Sequence, residues 1–120
     1  TRDGSPETVE SLGGGWTAEE ALSIALYACL AGKTFDDALQ IAVLHSGDSD
    51  STGLIAGHLL GAMHGRTAIP ERWLALLELR GVIEEIADDL ATAGCWRLGD
   101  WHDPDACAEE EYYVQRYPGG

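Results

Sequence analysis

The chain has 120 residues and a mass of 12.8 kDa, which is enough for one hydrophobic core and too little for two. Hydrophobic residues make up 45% of it and charged residues 23%, so neither an intrinsically disordered nor a collagen-like chain fits. Seven basic residues against 21 acidic ones leave a net charge of -14, which repels nucleic-acid phosphates and anionic lipid headgroups and excludes a general nucleic-acid binder.

Compartment and processing are indicated only indirectly. No apolar run approaches the roughly 20 residues that a membrane-spanning helix needs, so we expect no membrane association. Cys29, Cys95 and Cys107 form an odd set without framework spacing, which favours a reducing compartment and a cytoplasmic protein. No basic region followed by an apolar stretch opens the chain, and it begins with Thr1 rather than Met. We therefore expect a processed chain or a piece of a longer protein.

The start of the chain predicts a loop followed by a helix. Residues 1–15 are polar and end in three glycines, which predicts a flexible arm or Gly-rich loop. Thr17 and Glu20 then form a capping box, in which the hydroxyl and the carboxylate bind free N–H groups at a helix start. Apolar residues at intervals of three and four continue this helix to a stop at Gly32.

The rest of the chain predicts further helices. Thr34 begins a second apolar stripe that runs to about His45, so the first two helices form an antiparallel pair joined by a short turn. No segment shows sustained alternation of apolar and polar residues, so the sequence predicts an all-α fold. Residues 16–93 are its helical body, and residues 94–120 are an irregular, acidic and aromatic tail that packs on the core. The remaining predicted helices run from Ser51 or Thr52 to Met63, from Pro70 onward, and over residues 82–93.

Three glycines lie four residues apart on the third predicted helix, at Gly53, Gly57 and Gly61. Each costs about 1 kcal/mol of helix propensity against Ala, so their presence needs a reason. One interpretation is that a neighbouring helix approaches this face closely. The other is that the space near the helix start is kept clear for a ligand.

The segment before the third helix holds the residues with the clearest chemistry. Asp48, Asp50 and Ser51 lie within four residues, and carboxylate and hydroxyl oxygens suit Mg²⁺, Ca²⁺ or Mn²⁺. Without a cation the two aspartates repel each other, although the positive end of the helix dipole offsets part of this. The alternative is that Asp48 or Asp50 merely caps the helix. His45 either donates a hydrogen bond to a ligand carboxylate or simply ends the second helix.

Four stretches of the chain occur in a recognisable order and spacing. They are Gly13-Gly-Gly-Trp-Thr-Ala-Glu-Glu-Ala-Leu22, Phe35-Asp-Asp-Ala-Leu39, Ala42-Val-Leu-His-Ser-Gly-Asp-Ser-Asp-Ser-Thr-Gly-Leu-Ile-Ala-Gly57 and Ala68-Ile-Pro-Glu-Arg-Trp73. Together they resemble the C-terminal part of the ADP-ribosylglycohydrolases across roughly residues 12–93. The closing Arg116-Tyr-Pro-Gly resembles the tail of bacterial members.

This resemblance implies an orthogonal multi-helix, all-α fold that carries a binuclear Mg²⁺ or Mn²⁺ centre. The implied reaction is hydrolysis of the glycosidic bond between ADP-ribose and a protein side chain. By the same resemblance Asp48, Asp50 and Ser51 are metal ligands, and the two aspartates are catalytic through the metal centre, with Asp50 the one that bridges both ions.

The resemblance also implies a substrate loop and a missing half of the site. Gly14, Gly15 and Trp16 match the family's loop beside the ADP-ribose; the alternative for Trp16 is a staple of the helix start against the core. The family's other metal ligands, a hydroxyl residue followed by two aspartates and an earlier acidic residue, have no match in this chain. We therefore expect the N-terminal portion of the same protein, or a companion chain, as a partner.

Three explanations of this half-site stay open. The chain is a fragment of a longer enzyme, a subunit completed by another polypeptide, or a degenerate relative that binds ADP-ribosylated protein or ADP-ribose or serves as a structural module. Alone, the chain is expected to have little or no hydrolase activity, because three ligands from one segment hold a cation only weakly.

Overall fold

The structure, a computed structural model, describes residues 3–93 and 102–118. The chain divides into two compact units, Thr1–Leu76 and Leu77–Gly120. Its described residues form helices and no strand, which confirms the predicted all-α class. The helices are α1 Pro6–Glu10, α2 Ala18–Ala31, α3 Phe35–Val43, α4 Ser49–His64, α5 Glu71–Leu74, α6 Arg80–Thr92 and α7 Pro104–Arg116, with a 3₁₀ helix Arg66–Ala68 before α5.

The segment before the glycines contains a helix that its composition did not predict. Ser5 caps α1 by accepting a hydrogen bond from the N–H of Thr8 at 3.3 Å, and Pro6 fills the first turn, where its missing N–H costs nothing. Val9 on this helix is fully buried. The flexible arm predicted over residues 1–15 is therefore wrong for α1, because burial of one apolar side chain holds a helix too short to form alone.

Helices α2 and α3 begin where the capping pattern predicts. The hydroxyl of Thr17 accepts from the N–H of Glu20 at 3.4 Å, and that of Thr34 accepts from the N–H of Asp37 at 3.1 Å. The predicted stop of α2 at Gly32 is confirmed, since this residue follows the last helical one. Both starts were predictable because a cap is made within one helical turn.

The core of the first unit lies where α2, α3 and α4 pack on one another. Four fully buried alanines, Ala25, Ala28, Ala42 and Ala56, form its centre, and such small side chains let the helix backbones approach closely. Larger residues pack around this centre and are only partly buried. They are Cys29, Leu39, Ile41, Ile55 and Leu59.

Of the three glycines spaced four residues apart on α4, only Gly53 lies against a neighbouring helix of the described part of the chain. A Cβ added at Gly53 would lie 2.7 Å from Cγ1 of Val43, so α3 does approach closely there. At Gly57 and Gly61, no described heavy atom beyond the adjoining residues and backbone of α4 itself lies within 4 Å of an added Cβ. The prediction of a tight helix contact is therefore confirmed for Gly53 and wrong, within the described residues, for the other two.

The later elements depart from the prediction mainly at their ends. Helix α4 begins two residues before the predicted Ser51, and Pro70 precedes the four-residue α5 rather than lying in it. The tail predicted to be irregular holds α7, which Asp103 caps by accepting from the N–H of Asp105 at 2.9 Å. Periodicity missed this helix because only Ala106 of it is buried.

The second unit is held by a cluster of charges between α6 and α7. Arg116 donates to Asp89 at 2.6 Å and to Glu85 at 2.5 Å, and the hydroxyl of Tyr117 donates to Asp89 at 2.5 Å. Residues 94–101 and 119–120 of the predicted tail lie outside the described residues, and the packing of the tail on the helical core stays a prediction. Over the described ranges, no helix is long and apolar enough to cross a bilayer.

Candidate metal and substrate site

The turn between α3 and α4 presents Asp48, whose carboxylate is not used in capping. Asp48 is the N-cap residue of α4 by position, but its side chain makes no capping hydrogen bond. The backbone carbonyl of Asp48 instead accepts from the N–H of Thr52 at 3.3 Å. The alternative that Asp48 serves only as a helix cap is therefore wrong, and the residue is partly buried.

Asp50 lies in the first turn of α4 and is exposed to solvent. Its Oδ1 accepts from the N–H of Ser51 at 2.8 Å. A hydrogen bond from the side chain of Asp48 is the main reason that the pKa of Asp50 is lowered, and the Ser51 N–H adds to it. The two residues lie two positions apart at the start of α4, and the convergence of their oxygens on one cation stays a prediction. When both are ionised they repel each other, and a divalent cation between them removes that repulsion.

His45 fixes the shape of this turn. Its Nδ1 accepts from the N–H of Gly47 at 3.1 Å, so the ring proton is on Nε2. That nitrogen lies 3.0 Å from the carbonyl oxygen of Ala42 and 3.0 Å from the hydroxyl of Thr52. His45 lies beyond the end of α3, and the described hydrogen bonds of its ring go to backbone atoms and Thr52 rather than to either aspartate.

Thr52 is the buried polar residue that joins α3 to α4, and sequence reasoning missed its role. It is fully buried, and its hydroxyl donates to the carbonyl of Ala42 at 2.7 Å. The carbonyl of Asp48 lies 3.1 Å from the same hydroxyl. Such a satisfied buried hydroxyl fixes the backbone on both sides of the turn. A Thr in the first helical turn was a weak signal, because the sequence does not show which turn is buried.

The glycine loop at residues 13–15 lies directly on the aspartate turn. The carbonyl oxygen of Gly14 accepts from the N–H of Asp48 at 2.7 Å. A Cβ at Gly47 would lie 2.0 Å from that carbonyl oxygen, and a Cβ at Gly15 would lie 3.5 Å from Cβ of Asp48. Gly15 has φ +78°, a conformation that favours glycine. The predicted substrate loop and the predicted metal ligands therefore meet backbone to backbone.

Trp16 follows the loop and is 76% exposed. Its ring lies over the loop backbone, since a Cβ at Gly14 would lie 2.7 Å from Cδ1 of the indole. The alternative that Trp16 staples the helix start to the core is wrong. An aromatic face this exposed is available to a ligand.

Two glutamates outside the turn hold the surrounding backbone. Oε2 of Glu20 accepts from the N–H of Gly14 at 3.2 Å and from that of Trp16 at 3.1 Å. Oε1 of Glu10 accepts from the N–H of Ser46 at 3.1 Å, and hydrogen bonds from Ser46 lower the pKa of this glutamate. Sequence reasoning missed Glu10 because it expected no helix there.

The donor set suits a hard divalent cation but does not complete its coordination. Asp48, Asp50 and the hydroxyl of Ser51 are oxygen donors, which Mg²⁺ and Mn²⁺ prefer. Within residues 3–93 and 102–118, no group of three or more His, Cys, Asp or Glu side chains is placed to hold a metal ion. The residues present therefore fit part of a metal site.

A cavity of about 410 Å³ lies elsewhere in the first unit. It is lined by residues from the end of α2, the start of α3 and the end of α4, including Phe35, Leu60 and His64. Neither aspartate and no residue of the glycine loop lines it, so cavity size does not locate the candidate site.

The comparison with known proteins decides the family. A family model described as ADP-ribosylglycohydrolase matches residues 1–98. The chain belongs to the ADP-ribosylglycohydrolase family. The matched residues include the glycine loop and the aspartate turn, so both parts of the candidate site fall inside the ADP-ribosylglycohydrolase match.

Curated relatives support the same family. The chain is 42% identical over 82 residues to an uncharacterized protein of Archaeoglobus fulgidus, covering 68% of this chain and 26% of that protein. It is 33% identical over 78 residues to the ADP-ribosyl-[dinitrogen reductase] glycohydrolase of Rhodospirillum rubrum, covering 62% and 26%. It is 31% identical over 71 residues to the ADP-ribosylarginine hydrolase Tri1 of Pseudomonas putida, covering 59% and 19%. The matched segment is thus about a quarter or less of each relative, and no solved structure matches the chain significantly.

Proposed function

We propose that this chain supplies the C-terminal part of an ADP-ribosylglycohydrolase, which hydrolyses the glycosidic bond between ADP-ribose and a protein side chain. The observation that carries this proposal is the contact at 2.7 Å between the carbonyl of Gly14 and the N–H of Asp48. It joins a glycine loop with an exposed tryptophan to a turn with two neighbouring carboxylates, inside the stretch that matches the family.

In this proposal Asp48, Asp50 and Ser51 hold part of a binuclear Mg²⁺ or Mn²⁺ centre, and the two aspartates act in catalysis through it. When bound, such a centre orients hydroxyl groups and water and stabilises charge at the reacting carbon. Asp48 is suited to this role because no capping bond engages its side chain, while Asp50 has one oxygen fixed by the Ser51 N–H. The remaining ligands come from a hydroxyl-Asp-Asp segment on the N-terminal portion or a companion chain.

The proposed substrate is an ADP-ribosylated protein, which the names of two relatives support. Gly14, Gly15 and Trp16 are the residues that we assign to the ADP-ribose. The glycines leave the backbone open to a ligand, and the exposed indole of Trp16 offers a stacking face for a planar base. A negatively charged diphosphate next to an acidic chain requires cations, which agrees with the metal assignment.

A second candidate is a catalytically inactive relative that binds ADP-ribosylated protein through the same loop or acts as an interaction module. One observation favours it. In the part of the chain that the structure describes, the acidic residues do not assemble a group of three that could hold a metal.

The first experiment is a titration of the whole chain with Mn²⁺, followed by electron paramagnetic resonance. We expect the wild type to bind, and Asp48→Asn and Asp50→Asn each to weaken binding by about tenfold or more. Asp105→Asn is the matched control, since Asp105 is also an exposed aspartate in the first turn of a helix and loses the same charge. A wild type that ignores Mn²⁺, or an equal loss in the control, would contradict the metal assignment.

The second experiment separates the enzyme from the binding protein. The chain is co-expressed with an N-terminal segment of a family member that carries the hydroxyl-Asp-Asp motif, and release of ADP-ribose from an ADP-ribosylated arginine peptide is measured by chromatography. The enzyme releases ADP-ribose and Asp50→Asn abolishes the release. ADP-ribose binding by calorimetry without release supports the second candidate instead.

A further inference from the structure

We infer that Glu20 is a positioning residue, which holds the glycine loop and, through Gly14, the backbone of Asp48 in the arrangement that metal and substrate need. This inference rests on the proposed function of the same site. Glu20 itself is not among the ligands proposed above, and it lies at the start of α2 rather than in the aspartate turn.

The carboxylate of Glu20 departs from what a capping box requires. In a capping box, the acidic side chain returns to the N–H of the N-cap residue, which here is Thr17. Oε2 of Glu20 instead accepts from the N–H groups of Trp16 and Gly14, which lie before the cap. Hydrogen bonds to a carboxylate are stronger than those between neutral groups. Glu20 therefore shapes the loop as well as the helix start.

Gly13 of the loop lies directly against the side chain of Glu20. A Cβ at Gly13, which has φ +124°, would lie 2.5 Å from Cγ and 2.6 Å from Cδ of Glu20. The loop thus lies against the glutamate side chain. Loss of that side chain leaves two N–H groups without their acceptor and opens a gap beside three flexible residues.

Gly14 carries the effect to Asp48. Its N–H binds Glu20 at 3.2 Å, and its carbonyl binds the N–H of Asp48 at 2.7 Å. The backbones of Gly14 and Gly47 are also in close contact, because a Cβ at Gly47 would lie 2.0 Å from the same carbonyl oxygen. Movement of Gly14 therefore moves or releases the backbone of Asp48.

The test measures amide hydrogen exchange by NMR on the chain of 120 residues. We expect Glu20→Ala to speed exchange at the amides of Gly14, Trp16 and Asp48 by about tenfold or more, with amides in the middle of α3 unchanged. Glu20→Gln, whose side-chain oxygen still accepts, restores most of the protection. The matched control is Glu19→Ala, which removes an exposed glutamate from the same helical turn and leaves the three rates within about twofold.

The same variants are titrated with Mn²⁺. We expect Glu20→Ala to weaken binding several-fold and Glu19→Ala to leave it unchanged. An Asp48 amide that stays protected in Glu20→Ala overturns the inference, and so does unchanged Mn²⁺ affinity in a chain whose Asp50→Asn variant has lost it. If the wild type binds no Mn²⁺, the metal assignment fails, and the exchange rates alone then decide whether Glu20 positions the loop. Should Glu20→Ala not fold, Glu20→Met with Glu19→Met gives the same comparison, because Met keeps most of the side-chain length and removes the acceptor oxygens.

Discussion

The contact between the glycine loop and the aspartate turn predicts opposite effects of alanine at two glycines. In Gly47→Ala, the new Cβ lies 2.0 Å from the carbonyl oxygen of Gly14 and 2.7 Å from its carbonyl carbon. Both are backbone atoms, so no side chain can rotate away. One of the two backbone segments must move, and the hydrogen bond from Asp48 to Gly14 is lost or stretched. Gly57→Ala adds the same methyl group where no described atom beyond the adjoining residues and backbone of α4 lies within 4 Å.

The expected free energies follow from these distances. Overpacking costs about 1–3 kcal/mol, and loss of one backbone hydrogen bond adds about 0.5–1.5 kcal/mol. Gly47→Ala is therefore expected to lower the free energy of unfolding by roughly 1.5–4.5 kcal/mol, a large part of the 5–15 kcal/mol typical of a domain. Gly57→Ala is expected to raise it by about 1 kcal/mol, because Ala is the better helix former and pays no steric penalty there.

Urea unfolding followed by far-UV circular dichroism measures both effects. We expect the midpoint to fall in Gly47→Ala and to rise in Gly57→Ala, with similar slopes. A Gly47→Ala protein as stable as the wild type would refute the close contact between loop and turn. A Gly57→Ala protein that is less stable would show that this face of α4 is not open.

Three further predictions concern other parts of the chain. Thr52→Val keeps the shape of a fully buried side chain but removes its hydroxyl. The free energy of unfolding, measured by urea denaturation, should fall by about 1–2 kcal/mol. No change would mean that the hydroxyl does not join α3 to α4. Because the pKa of Glu10 is lowered in the folded chain, the stability that this carboxylate contributes is present at neutral pH and is lost as the pH falls below about 4.5. The melting temperature of Glu10→Gln should therefore be less sensitive to acid than that of the wild type. Equal acid sensitivity would contradict the hydrogen bond to Ser46. Arg116→Ala removes the ion pairs to Asp89 and Glu85 and should destabilise the second unit. The expected result is faster limited proteolysis of α7, and unchanged cleavage would assign the stability of that unit to other contacts.

Local patterns in the sequence determined the helical class and much of the candidate site. The starts of α2 and α3 were predictable because Thr17 and Thr34 bind N–H groups within their own first turns. The position of Asp48 and Asp50 at the start of α4 was predictable for the same reason. Interactions of this range need no knowledge of the rest of the fold.

Only the tertiary structure decided what lies around these residues. Whether Trp16 is exposed and whether Thr52 is buried both depend on segments that are distant in the sequence. The contact of Gly14 with Asp48 is of this kind, and so is the helix α1 that Val9 anchors. Hydrogen bonds between distant segments form only after the chain has packed, and burial is a property of the packed chain rather than of any residue in it.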